Sequence, residues 1–304
     1  MEKHVLLLLL LLASLTGFTQ QDPQFSQYMF NQLSLNPAYA GTKDALNITL
    51  LTRRQWTAIK GAPTTNFVTL HGPLRNKKAG IGVELINDKI GPKTTNGALF
   101  SYSYHLPFIA GRLSMGLRLG LYNYIFHWDE IEYKNKADAY NTMSQDQKNA
   151  FSADFGLYYY DRNFYWGLSA SHLNRALFYV NKQSTENAYL SSHIFMPVGI
   201  GLQINEQLII NPSLLVKYTP YAPVATDLNC NILINDKAWI GATYRILNSF
   251  TILTQLNITD KLKVGYAYDF GANKIGIAGG NTHELMLSYN FNVYKTKMMT
   301  PRYL

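Results

Sequence analysis

Hydrophobic and polar residues alternate with a period of two along most of this 304-residue chain. In one stretch, Leu113, Met115, Leu117, Leu119 and Leu121 alternate with Arg112, Ser114, Gly116, Arg118 and Gly120. The same alternation recurs in 223–235, 261–270 and 284–293. A period of two is typical of a β-strand with one face against an apolar phase. The polar faces are rich in Gly, Ser and Asn, which favours the lumen of a membrane barrel over a soluble sandwich.

The alternating stretches predict an all-β fold, a transmembrane antiparallel outer-membrane β-barrel of about 14 strands. The predicted strands span 44–56, 64–72, 78–87, 94–106, 111–126, 151–161, 163–172, 190–204, 206–219, 223–235, 237–247, 249–258, 260–270 and 283–294. Each strand is long enough, since a membrane strand needs roughly 9–11 residues.

Connection lengths test this strand count. The tight connections 161–163, 205–207, 235–237 and 259–261 all follow even-numbered strands, whereas the long connections 127–150, 173–189 and 271–282 follow odd-numbered ones. One connection, 247–249, is short on the long-loop side. Bacterial barrels have short periplasmic turns and longer extracellular loops. A missed strand would reverse this order, so we predict an even count with both chain ends on the periplasmic side.

The chain ends define the predicted domain organisation. Residues 1–19 combine a short start carrying one Lys, an apolar run from Val5 to Leu12, and the small residues Gly17 and Thr19, which is the pattern of a cleaved signal peptide. The run is too short to span ~30 Å as a helix. We predict cleavage near residue 19, a periplasmic or plug segment at 20–43, a barrel at 44–294 and a periplasmic tail at 295–304.

Residues 21–41 read QDPQFSQYMFNQLSLNPAYAG and contain one carboxylate, Asp22, without His, Cys, Lys or Arg. Apolar residues at helical spacing followed by Asn36-Pro37 predict a short amphipathic helix tucked under or into the barrel. The candidate plug residues are Phe25, Tyr28, Met29, Phe30, Leu33, Pro37 and Tyr39. A free periplasmic tail is the alternative, but such tails seldom carry this many aromatic residues.

The amino-acid composition agrees with a barrel and limits the classes of partner that are expected. Charged residues make up 15% of the chain, against about 25% in soluble domains, and 22 residues are Tyr. The net charge of +8 is dispersed, with one dense cluster at 75–78, so outer-membrane lipid is the expected polyanionic surface and nucleic acid is not expected as a partner. The single Cys230 excludes an internal disulfide framework.

The sequence predicts no catalytic, cofactor-binding or metal-ligating residues and no cofactor. The seven His residues are scattered, without zinc-ligand spacing or an HExxH motif. Gly167 to Ser171 approaches a nucleophile elbow but ends in Ser and lies within a predicted strand. A lipid-modifying barrel enzyme would need Ser169 with His172 or His193 on its outer face. In the commoner interpretation, Ser169, His172 and His193 only line the lumen of the barrel.

Two further features concern the rims of the barrel. The aromatic clusters 122–124 and 158–160 indicate girdles at the membrane interfaces, with a sugar-binding surface as the alternative. Loop 127–150 is the longest predicted non-strand element, and Ser144 could cap a short helix with Gln147 at the reciprocal position. Its candidate partner-binding residues are Trp128, Tyr133, Tyr140 and Met143. A solvated loop without a partner is the alternative.

The segment QDPQFSQYMFNQLSLNPAYAG and the ending HELMLSYNF at 283–291 closely resemble the PorP/SprF family of outer-membrane proteins of the type IX secretion system of Bacteroidota. The resemblance covers essentially the whole mature chain. It implies a β-barrel without enzymatic activity that takes part in secretion or surface retention of type IX substrates, some of them gliding adhesins. It also implies periplasmic lipoprotein or peptidoglycan-linked partners. No catalytic or ligand residue is carried over from the family.

Taken together, the sequence predicts a non-enzymatic outer-membrane barrel that supports secretion or cell-surface attachment of an adhesin-like type IX substrate, with gliding motility among the processes that the resemblance implies. A passive porin or small-solute transporter is the alternative, because a barrel of about 14 strands can enclose a channel.

Overall fold

When the apolar faces of strands point towards lipid, closing the strands into a ring places their polar faces in the interior. The computed structural model describes residues 22–132, 145–179, 187–220 and 222–291. Within them, fourteen antiparallel strands form a closed barrel, which confirms the predicted fold class. Each ring strand pairs with the next along the chain, and the last pairs with the first through a register that includes Leu46 opposite Phe291.

The ring strands, numbered in chain order, are β1 Leu46–Arg54, β2 Thr64–Pro73, β3 Ala79–Ile90, β4 Lys93–Phe108, β5 Gly111–His127, β6 Gln145–Tyr160, β7 Phe164–Ser171, β10 His193–Ile200, β12 Leu208–Tyr218, β13 Ala225–Ile234, β14 Ala238–Arg245, β15 Ser249–Asn257, β16 Leu262–Gly271 and β17 Thr282–Phe291. Outside the ring, β8 Leu177–Tyr179 pairs with β9 Asn187–Tyr189, and β11 Leu202–Gln203 pairs with β12. Every predicted strand corresponds to one strand of the ring.

The start of β6 differs from the prediction. Residues 145–150 were predicted to belong to a loop with a capped helix, but they continue β6, and Gln147 lies opposite Ile125 of β5. The predicted cap at Gln147 is therefore wrong, while Ser144 lies outside the described residues. Pairing along the full length of β5 satisfies the backbone hydrogen bonds of this polar stretch. The stretch lacks the hydrophobic alternation that would have indicated a strand.

The faces of the strands are inverted relative to a soluble protein. On β5, Leu117, Leu119 and Leu121 are 58%, 53% and 54% exposed, whereas Ser114 and Arg118 are 0% and 5% exposed. Apolar side chains thus form the outer band and polar side chains face the lumen, as in outer-membrane barrels.

Within the described residues, no helix is both long and apolar enough to cross a membrane.

The two ends of the barrel carry different connections. Short turns such as 109–110, 161–163 and 235–237 lie at the end where β1 begins and β17 finishes. The opposite end carries the longer connections, including 172–192 and 272–281, although 91–92 and 246–248 are also short there. We assign the short-turn end to the periplasm and the long-loop end to the cell exterior.

Two short helices lie in the long-loop connections. Helix α1, Lys274–Gly279, begins after Asn273, whose side-chain Oδ1 accepts a hydrogen bond of 2.7 Å from the Gly276 N–H. A 3₁₀ turn at Trp128–Glu130 follows β5.

The described part of the N-terminal segment, residues 22–45, lies inside the barrel. It contains 3₁₀ turns at Tyr28–Phe30, Gln32–Ser34 and Pro37–Tyr39, in place of the amphipathic α-helix that the spacing predicted. Asn31 and Asn36 have φ angles of −138° and −143°, which interrupt the helical hydrogen-bond series between the turns. The barrel wall supplies hydrogen-bond partners instead of a further helical turn. The segment therefore extends along the lumen and does not form a continuous helix.

Candidate functional site in the barrel lumen

The N-terminal segment runs along the lumen from one end towards the other. Asp22 lies next to His172, which follows β7 at the long-loop end. Gly41 lies against Gly80 at the start of β3 and donates its N–H to His71 Nδ1 at 3.2 Å. The segment therefore descends from the exterior end to the periplasmic end before it enters β1.

Apolar residues of the segment contact the wall all round. Phe25 stacks on Phe67 of β2 with ring centroids 4.8 Å apart, and Tyr39 meets Tyr158 of β6 edge-on at 5.4 Å. Tyr28 and Met29 pack with Phe195, Leu215, Leu253 and Ala267, and Phe30 packs on Trp239. Of the candidate plug residues, Phe25, Tyr28, Met29, Leu33, Pro37 and Tyr39 are buried, and Phe30 is half-buried. These contacts span strands on opposite sides of the ring.

A buried carboxylate clamps the upper part of the segment. Glu284 of β17 accepts hydrogen bonds from the backbone N–H groups of Ser26 and Gln27, both at 2.8 Å. The Ser26 hydroxyl donates to Asp269 at 2.8 Å. Arg53 of β1 lies 2.9 Å from Glu284 and 2.6 Å from Asp269. The segment therefore completes a charge cluster that closes the ring between β1, β16 and β17.

Arg118 of β5 forms a second cluster at mid-height. Its guanidinium lies 2.7 Å from Glu84 and 2.6 Å from Asp154, and it donates to the carbonyl oxygen of Leu33 at 3.1 Å. All three charged side chains are at most 6% exposed. Because burial removes water from these charges, each depends on its partners for solvation.

A third cluster holds the start of the segment from the opposite wall. Lys217 of β12 lies 2.8 Å from Asp227, which also pairs with Arg245 at 3.1 Å. The Lys217 ammonium donates to Gln24 Oε1 at 2.9 Å. All three charge clusters therefore reach the segment, each from a different part of the ring.

Small residues let the lower segment lie directly on the wall. Serine hydroxyls of β5 and β4 donate to the carbonyl oxygens of Ala38 and Ala40, in each case at 2.6 Å. A Cβ at Gly116 would overlap the backbone of Ala38, and one at Gly156 would overlap the Asn36 side chain. The wall is thus shaped to the backbone of the segment.

Asp22 lies between two histidines near the exterior end. Its carboxylate is 2.9 Å from His172 Nε2 and 3.6 Å from His193 Nδ1. Burial by itself would raise the pKa of the Asp22 carboxyl, but the charges of His172 and His193 outweigh it and hold the pKa well below its usual range. Asp22 is therefore ionised and can act as an anchor for the cationic groups around it.

The structure changes the interpretation of the Tyr clusters. Tyr122, Tyr124, Tyr158 and Tyr160 are between 2% and 7% exposed and face the lumen, so their assignment to membrane girdles is wrong. Tyr159 has the opposite orientation and contacts Phe108 and Phe164. A lumen filled by protein rather than water can bury aromatic rings, and the sequence pattern did not distinguish the two faces.

The residues considered for lipid chemistry lie inside the barrel. Ser169 is 3% exposed, and its hydroxyl donates to the Leu35 carbonyl oxygen at 2.6 Å. His172 and His193 are also buried in the lumen. None of the three meets the requirement for an outer face. The proximity of the two histidines to Asp22 was missed because 150 positions separate Asp22 from His172.

The predicted partner loop is described only at its edges. Trp128 is half-buried and stacks on Phe126 with ring centroids 5.7 Å apart. Tyr133, Tyr140 and Met143 lie outside the described residues, as do the predicted signal peptide and C-terminal tail.

Several solved outer-membrane barrels are similar in fold. Omp33 of Acinetobacter baumannii is 9% identical with a TM-score of 0.49, and the match covers 83% of this chain and 100% of Omp33. A FadL homologue of Pseudomonas aeruginosa is 12% identical with a TM-score of 0.45, covering 93% of this chain and 97% of the homologue. The translocator domain of the autotransporter NalP from Neisseria meningitidis is 9% identical with a TM-score of 0.46, covering 81% and 88%. No curated protein sequence matches the chain.

A family comparison also covers most of the chain. The model of the type IX secretion system membrane protein PorP/SprF matches residues 17–289. This range includes the whole of the first stretch on which the predicted resemblance depends, 21–41, and residues 283–289 of the second. The apolar outer band of the ring and this match agree on an integral protein of the outer membrane. The chain therefore belongs to the PorP/SprF family of type IX secretion system membrane proteins.

Proposed function

We propose that this barrel is non-enzymatic and supports secretion or cell-surface attachment of an adhesin-like type IX substrate, with gliding motility among the processes it would serve. One observation carries the proposal: residues 22–41 contact the wall around the ring and are tied to three buried charge clusters. A lumen occupied in this way is poorly suited to bulk transport. We infer that the protein acts through contacts on its rims.

The exterior rim is the proposed docking surface for the secreted partner. The long connections converge there, and Trp128 places an indole, half-buried on Phe126, at its edge. Next to it, Lys89 and Glu130 form an exposed ion pair of 3.3 Å. Aromatic residues beside polar groups are enriched in protein interfaces. Tyr133, Tyr140 and Met143 stay predicted members of this surface.

The periplasmic rim is the proposed site for lipoprotein or peptidoglycan-linked components. It carries the short turns and the dense basic cluster, of which Arg75 and Lys78 are exposed. Lys77 is held by Asp44 at 3.0 Å, at the point where the N-terminal segment enters β1. A partner bound here would contact both the wall and the segment.

Gentle isolation of the tagged full-length protein from its own membrane tests the proposal. We expect a type IX substrate to be recovered with it, and less of that substrate with Trp128→Ala. Leu74→Ala is the matched control, because Leu74 is an exposed apolar residue at the opposite rim. Recovery of no type IX component with the unmodified protein would contradict the proposal.

Conductance in planar bilayers separates this function from a passive porin. We expect the full-length barrel to show little steady current, and a variant lacking 22–41 to show large currents. This would support a plug function for the segment. Large steady currents from the full-length protein would favour the porin instead.

A further inference from the structure

Three side chains with metal-binding atoms meet near the exterior end of the lumen. One ligand atom from each of Asp22, His172 and His193 lies within 4.8 Å of the others. The Asp22 carboxylate is 2.9 Å from His172 Nε2 and 3.6 Å from His193 Nδ1. Zinc–ligand bonds of about 2.0–2.2 Å place neighbouring ligands of a tetrahedral ion about 3.3 Å apart. The two spacings from Asp22 bracket that value and the histidine nitrogens lie within 4.8 Å of each other, so side-chain rotations would direct all three atoms at one ion.

His193 provides an independent indication of a ligand. It is 3% exposed, and among the described residues neither of its ring nitrogens has a hydrogen-bond partner. Leaving a buried polar group unsatisfied is unfavourable, because the group has given up its hydrogen bonds to water. An ion bound at Nδ1 would use one of these nitrogens, beside the Asp22 carboxylate.

His172 is oriented as metal-binding histidines usually are. Its Nδ1 lies 2.8 Å from the Ser152 hydroxyl, which donates to Asp154 at 2.7 Å. A metal ion bound at Nε2 would leave the ring proton on Nδ1, from which it is donated to the Ser152 hydroxyl. Such hydrogen bonds from the second nitrogen fix the tautomer and the orientation of a ligand histidine.

There is also space for a fourth ligand. A cavity of about 60 Å³ is lined by Asp22 and His193, together with Phe25 and Tyr122. A water molecule needs a cavity of roughly 10–15 Å³, so this cavity can admit water beside the ion. A site with three protein ligands and water is common for zinc.

We propose that Asp22, His172 and His193 bind one divalent transition-metal ion, Zn²⁺ in the first instance, which fastens the start of the N-terminal segment to the wall. Two imidazoles and one carboxylate suit Zn²⁺ and its first-row neighbours better than Mg²⁺ or Ca²⁺. The inference goes beyond the proposed function and does not depend on it, because metal binding is measured without any secretion partner.

The test uses the full-length protein, purified in detergent and treated with a chelator. Zn²⁺ titration by calorimetry should give one ion per chain, and Co²⁺ should give the visible absorption of a four-coordinate site. We expect His193→Gln to weaken Zn²⁺ binding at least 100-fold. Ser152→Ala should weaken it by about 10–100-fold, as loss of an outer-shell partner does. His105→Gln is the matched control, a buried lumen histidine at the other end of the barrel, and should bind Zn²⁺ unchanged.

Asp22→Asn distinguishes a loss of metal binding from a folding defect. Asp22 belongs to no strand, so this variant leaves the strand pairing intact even where a wall variant fails to fold. It should lose Zn²⁺ binding in a barrel that still migrates as folded on unheated gels. Equal Zn²⁺ affinity of the unmodified protein, His193→Gln and Asp22→Asn would overturn the inference. So would the absence of stoichiometric binding by the unmodified protein, which would leave an Asp22–His172 ion pair only.

Discussion

Arg118 is the group whose removal should most clearly test how the lumen is held together. Arg118→Ala removes the guanidinium that lies 2.7 Å from Glu84 and 2.6 Å from Asp154. It also removes the donor to the Leu33 carbonyl oxygen, at 3.1 Å. Two carboxylates, each 2% exposed, then remain in the lumen without their cation.

The expected loss follows from these contacts. A hydrogen bond to a charged group contributes about 1.5–3 kcal/mol and a neutral one about 1 kcal/mol. The contributions of neighbouring groups do not add fully, and breaking a buried ion pair costs about 3–5 kcal/mol in general. We therefore expect Arg118→Ala to lower the free energy of unfolding by about 3–5 kcal/mol.

Urea unfolding in lipid vesicles, followed by tryptophan fluorescence and gel mobility, measures this loss. Arg112→Ala is the matched control, because Arg112 lies on the same strand but is exposed, and a change within about 0.5 kcal/mol is expected there. A variant that combines Arg118→Met with Glu84→Gln and Asp154→Asn removes all three charges together. It should recover at least half of the loss. Equal effects of Arg118→Ala and Arg112→Ala would refute the reasoning.

Further substitutions probe the contacts between segment and wall. Gly116→Val places side-chain atoms where the backbone of Ala38 lies. It should therefore displace the lower segment, lower the free energy of unfolding by about 1–3 kcal/mol and increase protease cleavage of the segment. Ala170→Val on the outer face should have none of these effects. Glu284→Ala leaves two segment N–H groups without their acceptor and should raise single-channel conductance; unchanged conductance would show that this clamp is dispensable. Ser169→Ala should leave membrane lipid composition unchanged and lower stability by about 1 kcal/mol, and altered lipids would reinstate an enzymatic role.

The strand count could be predicted because two independent patterns agree on it. The alternation on β5 locates one strand by itself, and the phase of short and long connections excludes a missing strand. Where the alternation stops, the prediction failed: residues 145–149 are polar, and only pairing with β5 makes them part of a strand. Hydrophobic patterning detects contact with lipid, but it cannot detect pairing beyond the apolar band.

The direction in which aromatic residues point was harder to predict. Tyr158 lies among apolar neighbours in sequence and was assigned to a girdle, yet it is 2% exposed beside Leu33. The usual assumption is a wet lumen, in which buried rings have no place. The N-terminal segment supplies the apolar surface against which they pack.

Local patterns in the chain specify the barrel, its strand number, the different lengths of the connections at its two ends and its family, because each of these properties is carried by short stretches of sequence. The contents of the lumen, in contrast, depend on contacts between distant parts of the chain. The charge cluster of Arg53 with Glu284 joins residues 231 positions apart, and the group of Asp22 with His172 spans 150 positions. Side chains so far apart meet because the ring closes and the segment threads it. No local pattern records which inward-facing residues will then be neighbours.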